Sequence, residues 1–322
     1  TATLSPFILD AVELLDPDLS SYPLDVLTLV ESVMENPQVI LARQADKARD
    51  ELFAELKRDG VEYEERIERL DEVEWPKPLR EFLYTTFDAW AVHHPWIGQE
   101  NIRPKSIVRD LYERAMTFRE YINYYGIKGS EGVFLRYLTD TYKGLQKTVP
   151  DSCWNDELDE LTEWLGALIR QVDSSLIDEW ERLQNPQSSA AEIRPQSIDV
   201  TSHTRAFQVM IRNGAFRWIQ LFARTDYNGL AAEAVGDLSD PDQVKDLATP
   251  YWDDFDEVLT GPDARSSRWF AINSQNDKTY EVEQIICDPN GFNEWRISGI
   301  VDLAQSREAG EAVMKLTNIR AL

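Results

Sequence analysis

The chain has 322 residues, 43% of them hydrophobic, and its 12 Phe, 12 Tyr and 10 Trp supply cores for two or three domains, which excludes a disordered chain. Its 33 basic and 58 acidic side chains leave a net charge of −25, which excludes a uniformly basic nucleic-acid sleeve and a basic membrane-surface helix. No apolar run approaches the ~20 residues that cross a bilayer, so no membrane partner is expected.

The first residues, Thr1-Ala2-Thr3-Leu4, lack a Met and a signal-peptide pattern, and read as a piece cut from a longer protein or as a processed start. Up to about residue 184 apolar residues recur at helical spacing and Gly is scarce, which predicts an all-helical bundle over 1–184. Within it, His93-His94-Pro95-Trp96 reads as a helix end, where a donor ring suits the free carbonyls, rather than as a metal site. Over 157–183, Leu158, Leu161, Leu165, Leu168, Val172, Leu176, Trp180 and Leu183 form one stripe. Residues 185–194, with Asn185-Pro186-Gln187-Ser188-Ser189-Ala190, read as a linker.

Helical character resumes from about Ser202 to Ala234, with Phe207, Ile211, Phe216, Ile219 and Leu230 as core, followed by a short helix near 241–259. The period then becomes two. Strands are expected at 269–272, 279–286 and 294–301, with turns at Asn276-Asp277 and Pro289-Asn290-Gly291, and a last strand near 311–319. The fold class is thus α + (α+β): a helical bundle, then an α+β domain over 195–322 whose helices pack on a curved antiparallel sheet.

Motifs for catalysis are sparse. The sequence has no G-x-x-x-x-G-K-[ST] loop, no H-E-x-x-H, no G-x-S-x-G and no C-x-x-C, so no ATP hydrolysis and no catalytic residue are expected of this chain. Two distant cysteines, Cys153 and Cys287, form no disulfide framework and suit a reducing cytoplasm. With only His93, His94 and His203 beside them, no structural zinc site is expected. The carboxylates of Trp252-Asp253-Asp254-Phe255-Asp256-Glu257 lack calcium-loop spacing and read as a solvated helix face. Trp90, Trp164, Trp180 and Trp218 sit in periodic apolar runs and are assigned to core.

Charge singles out one stretch. Residues 1–102 carry 9 basic and 22 acidic side chains, and 148–322 carry 15 and 31, whereas 103–147 carry 9 and 5. A local cationic surface in an acidic chain can bind phosphates while the remainder repels nonspecific polyanion. Thr117-Phe118-Arg119-Glu120 is a capping box opening a helix that Gly126 stops. A second helix is expected from Ser130 to Val149. Phe134, Leu138, Thr141 and Leu145 share its inner face, and Arg136, Asp140, Lys143 and Lys147 the opposite one. By spacing alone that row is a solvated face.

Thr117-Phe118-Arg119-Glu120 through Glu131-Gly132-Val133-Phe134-Leu135-Arg136 resembles the C-terminal helical module of exosome-associated DExH-box RNA helicases. Those proteins carry a pattern like T-F-x-E, a short helix, then E-G-S-hydrophobic-hydrophobic-R on a "ratchet" helix beneath the exiting single strand. The match falls on Thr117, Phe118, Glu120, Glu131, Gly132 and Arg136, and departs at Val133 and at Thr139-Asp140. Nearly the whole chain is similar to the region of unknown function appended to a group of bacterial DEAD/DEAH-box helicases. The resemblance implies a C-terminal accessory part that guides the single strand leaving motor domains absent from this chain. Its partners would be single-stranded nucleic acid, RNA in preference to DNA, and the motor domains in cis. ATP and Mg would sit in those motor domains, with no cofactor on this chain. The implied nucleic-acid contacts are Arg136, Lys143, Lys147, Arg119, Lys128 and Glu131, with Thr117, Phe118, Glu120 and Gly132 building the motif.

The second domain resembles the cone-shaped fold of nuclear transport factor two and small polyketide cyclases, in which His203 would stand at the start of the first helix. Two further readings stand beside strand guiding. One is an acidic scaffold recruiting a basic protein partner, such as a nuclease or a ribosomal factor. The other is a small-molecule site or enzyme in the cone-like domain.

Overall fold

The computed structural model describes residues 2–173, 200–202, 204–276 and 278–322. They fall into two compact units: Thr1–Tyr112 with Met116–Val172, and Glu113–Ala115 with Asp173–Leu322. The expected linker at 185–194, His203, and the Leu176, Trp180 and Leu183 part of the long stripe lie outside the described residues.

The described part of the first unit is helical throughout: α1 Ser5–Val12, α2 Tyr22–Ser32, α3 Gln38–Arg58, α4 Tyr63–Asp71, α5 Arg80–His93, α6 Ile107–Glu113, α7 Phe118–Tyr125, α8 Glu131–Thr148 and α9 Asp156–Val172, with short 3-10 turns between some of them. The helices start and stop where local chemistry dictates. Thr117 Oγ1 accepts from Glu120 N at 3.4 Å while Glu120 Oε2 accepts from Thr117 N at 2.8 Å, the reciprocal capping box. Gly126, at φ 61°, ends α7 in the left-handed conformation that glycine adopts freely. α5 ends at His93, and the His94 ring lies 2.8 Å by Nδ1 from Trp90 O and stacks on the Trp90 indole at 4.1 Å. That histidine closes a helix, as the sequence predicts. Trp90 and Trp164 are buried. On α9, Leu158, Leu161, Leu165 and Leu168 are buried, but Val172 at the end of the stripe is exposed.

The second unit holds α10 Thr204–Ala223, α11 Tyr227–Ala232, α12 Pro241–Asp254 and α13 Leu303–Ala309, with strands β1 Phe270–Asn276, β2 Thr279–Ile286, β3 Trp295–Asp302 and β4 Met314–Ala321. The strands form one antiparallel meander in the order β1-β2-β3-β4. Side chains alternate along it: Val282, Gln284 and Ile286 on β2, and Ile297, Gly299 and Val301 on β3, are buried. Opposite them lie Phe207, Ile211, Phe216 and Ile219 of α10, the expected core. Trp218 is buried there as expected, and its Nε1 donates to Glu233 Oε2 at 2.9 Å.

Three elements differ from expectation. The helical stretch expected from about Ser202 to Ala234 is divided into α10 and α11, because Thr225 adopts φ 54° and Asp226 then caps α11 by accepting from Gly229 N at 2.8 Å. α13, which the expected elements do not include, lies between β3 and the last strand, which runs Met314–Ala321; it is capped by Asp302, whose Oδ1 accepts from Ala304 N and Gln305 N at 2.9 Å. The carboxylates near 253–257 are exposed as expected, but α12 ends at Asp254, so they do not share one helix face. The short segment Glu113–Ala115 belongs to the second unit: Gln220 Nε2 donates to Glu113 O at 2.9 Å, and Ala115 sits in that core.

Candidate nucleic-acid interface

The candidate row rides on α8, so its geometry depends on how that helix is seated. Phe134, Leu138, Thr141 and Leu145 are buried as the spacing predicts, and so are Tyr137, Thr139 and Tyr142. The covered arc is therefore wider than one stripe. Phe134 is clamped between the Phe118 ring, stacked at 5.1 Å, and the Tyr121 ring, stacked at 4.9 Å. Phe118 of the motif is thus a packing residue, and Thr117 and Glu120 form the cap of α7.

The exposed side of α8 carries Glu131, Gly132, Val133, Arg136, Asp140 and Lys147, whereas Lys143 is half-buried. The Arg136 side chain is 82% exposed, with its Nε 3.7 Å from Asp140 Oδ2. An exposed pair with Arg on the N-terminal side contributes at most a few tenths of a kcal/mol, so Arg136 can leave it for a phosphate at little cost. Arg119 on α7 and Lys128 in the α7–α8 turn are exposed on neighbouring stretches of chain. Glu131 acts locally: its Oε2 accepts from Gly129 N at 2.7 Å, which fixes the turn where Gly129 takes φ 90°. A Cβ placed on Gly132 would meet nothing within 4 Å. The first turn of α8 therefore lies open to close approach by a ligand backbone.

Beneath this face lies a buried polar brace that periodicity does not show. Glu31, on α2, is fully buried. Its Oε1 accepts from Ile107 N at 2.8 Å, Val108 N at 3.0 Å and the Tyr137 hydroxyl at 2.9 Å, and its Oε2 accepts from Arg109 N at 3.2 Å. The carboxylate thus takes the first free N–H groups of α6, where the helix dipole favours negative charge. Burial pushes the Glu31 carboxyl above its ordinary range, opposed by these donors, and burial with the nearby Glu31 carboxylate pushes the Tyr137 phenol well up. Lys105 is equally buried, and its Nζ donates to Met34 O at 2.8 Å and Arg103 O at 2.9 Å. Burial pushes this amine down to about 7, against the pull of Glu31. Gln44 of α3 donates to Ser106 O and to the Tyr121 hydroxyl, both at 3.1 Å. Together these side chains tie α2, α3, α6, α7 and α8 to one another. The visible signal was a charge inside an apolar run, Glu31 within Val26–Met34.

Two other expectations concern small-molecule or redox chemistry. In the second unit the Trp218 indole fills the space under Gly299, where a Cβ would also meet Lys315 O at 2.7 Å. Both cysteines are free; burial pushes the Cys287 thiol up to about 11, away from an activated thiolate. Among the described residues no group of three or more His, Cys, Asp and Glu could hold a metal ion, and no helix is long and apolar enough to cross a membrane.

A family model described as Domain of unknown function (DUF3516) covers residues 1–319. No curated protein and no solved structure matches.

Proposed function

The chain belongs to the DUF3516 family, and from that premise we propose that it is the accessory part of an ATP-dependent helicase that guides the single strand leaving the motor domains. The observation that carries the reading is the seating of α8. Its inner face is locked through Tyr137 to Glu31 and through Phe134 to Phe118 and Tyr121, while its outer face presents Gly132, Arg136 and Lys147. A rigid helix with an open first turn and exposed cations suits a strand that slides: phosphates take the cations, and bases pass close to a backbone without side chains. RNA fits in preference to DNA, following the likeness of the Thr117–Arg136 motif to RNA helicases. ATP and Mg act in the motor domains, and this chain contributes strand contacts alone.

The test is made in the full-length parent. Arg136→Ala with Lys147→Ala should weaken single-strand engagement and slow unwinding, leave ATP binding and thermal unfolding unchanged, and lower the salt slope of binding by about 1 per lost phosphate contact. Unwinding at the wild-type rate in the double variant overturns the reading.

A further inference from the structure

Among the described residues, nothing fully covers an apolar face of α3 and α4. Ile40, Leu41, Gln44 and Ala45 anchor the start of α3, but beyond Ala45 only Leu56 of that helix is buried. None of the nine residues of α4 is buried. Yet α4 is amphipathic, with Tyr63, Ile67 and Leu70 on one side at helical spacing, a stripe that a surface helix normally turns toward a core. Tyr63 is 63% exposed, Ile67 39% and Phe53 of α3 38%. The Arg66 guanidinium lies 5.4 Å from the Phe53 ring centre and 5.7 Å from that of Tyr63, so the two rings are held together as one surface.

The rim of this surface names its occupant. Residues 59–74 carry eight carboxylates, all exposed, and two arginines. Of the two arginines, Arg69 is paired with Glu65 and Arg66 lies over the rings. A nucleic acid or an anionic membrane would be repelled. An apolar stripe bordered by carboxylates fits a helix with apolar residues on one face and Lys or Arg beside them. We propose that α4 and the adjoining end of α3 are a docking surface for a basic amphipathic helix of a partner protein. At 1.5 Å per residue α4 is about 14 Å long and would engage about two to three turns of that helix. The proposal does not depend on strand guiding by α8.

The experiment uses the whole chain and three labelled probes: a Leu/Lys peptide patterned as an amphipathic helix, a Leu/Glu peptide of the same pattern, and oligo(U). The Leu/Lys peptide should bind saturably, with affinity that falls with salt, and the Leu/Glu peptide should not bind. Tyr63→Ala with Ile67→Ala should weaken the Leu/Lys peptide about 10-fold while thermal unfolding stays unchanged, since both side chains are exposed. Glu64→Gln with Glu68→Gln should weaken it and flatten its salt dependence. Equal binding of both peptides, no saturable binding of the Leu/Lys peptide, unchanged affinity in the Tyr63/Ile67 variant, or competition by oligo(U) overturns the proposal.

Discussion

Tyr137 on α8 and Glu31 on α2, 106 positions apart in the chain, share a 2.9 Å hydrogen bond at the buried centre of the first unit. Tyr137 lies one residue from exposed Arg136, so the contact couples the candidate strand-facing row to the core. Removing its two ends should have unequal effects. Tyr137→Phe deletes one donor and leaves Glu31 with three backbone N–H groups, costing about 1–2 kcal/mol. Glu31→Gln turns an amide NH2 toward donors and leaves them unpaired, costing about 3 kcal/mol or more. Urea unfolding of the two variants checks this; equal, small losses would show that the brace does not hold α8.

Lys105 should make the first unit more stable as the solution becomes more alkaline. Its amine is pushed by burial from 10.5 down to about 7. The unfolded chain therefore keeps the proton over that window while the folded chain releases it. The contribution is fully present above about 10.5, shrinks as pH falls toward about 7, and is flat below that. The slope can reach about 1.4 kcal/mol per pH unit. The neutral amine still has two N–H groups for Met34 O and Arg103 O. Glu31, raised by burial, acts in the opposite sense, losing stability as pH rises above the usual carboxylate range. Lys105→Met should remove the alkaline rise, read as unfolding midpoints in urea between about pH 8 and pH 10.

Gly299→Ala should damage the second unit. A Cβ there meets the Trp218 ring and, at 2.7 Å, the Lys315 carbonyl. The register between β3 and β4 also shifts between Ser298 and Gly299, so the backbone has little freedom to yield. The expected loss is about 2–3 kcal/mol. Tryptophan emission during denaturation, with far-UV circular dichroism, reads it, and an unperturbed midpoint would mean that the indole moves aside.

Gly132→Ala should separate stability from function. The new methyl meets nothing, and alanine is the better helix former, so stability should rise by up to about 1 kcal/mol. If a strand passes close to this turn, the same methyl should weaken single-strand binding in the full-length parent. Calorimetry and fluorescence anisotropy on one preparation decide it. Tighter folding with undiminished binding would place the strand elsewhere.

The sequence by itself determined the parts of this protein that depend on neighbours along the chain. The capping box at Thr117 and Glu120, the stop at Gly126, the inner stripe of α8, the helix-ending His94 and the period-two strands all follow from backbone hydrogen bonding and from the side on which apolar residues fall. Local rules left unmarked the break at Thr225 and the helix α13 between β3 and β4, and they placed Lys143 on the outer face of α8, where it is half-buried. Only the tertiary structure decided that Glu31 is a buried cap for a helix starting at Ile107, that Tyr137 reaches it, and that α4 leaves Tyr63 and Ile67 in water. The physical reason is the same in each case. A carboxylate is tolerated inside a protein only where several donors converge, and an apolar stripe is buried only where another element covers it. Both conditions are set by residues tens of positions away, and periodicity along one segment carries no record of them.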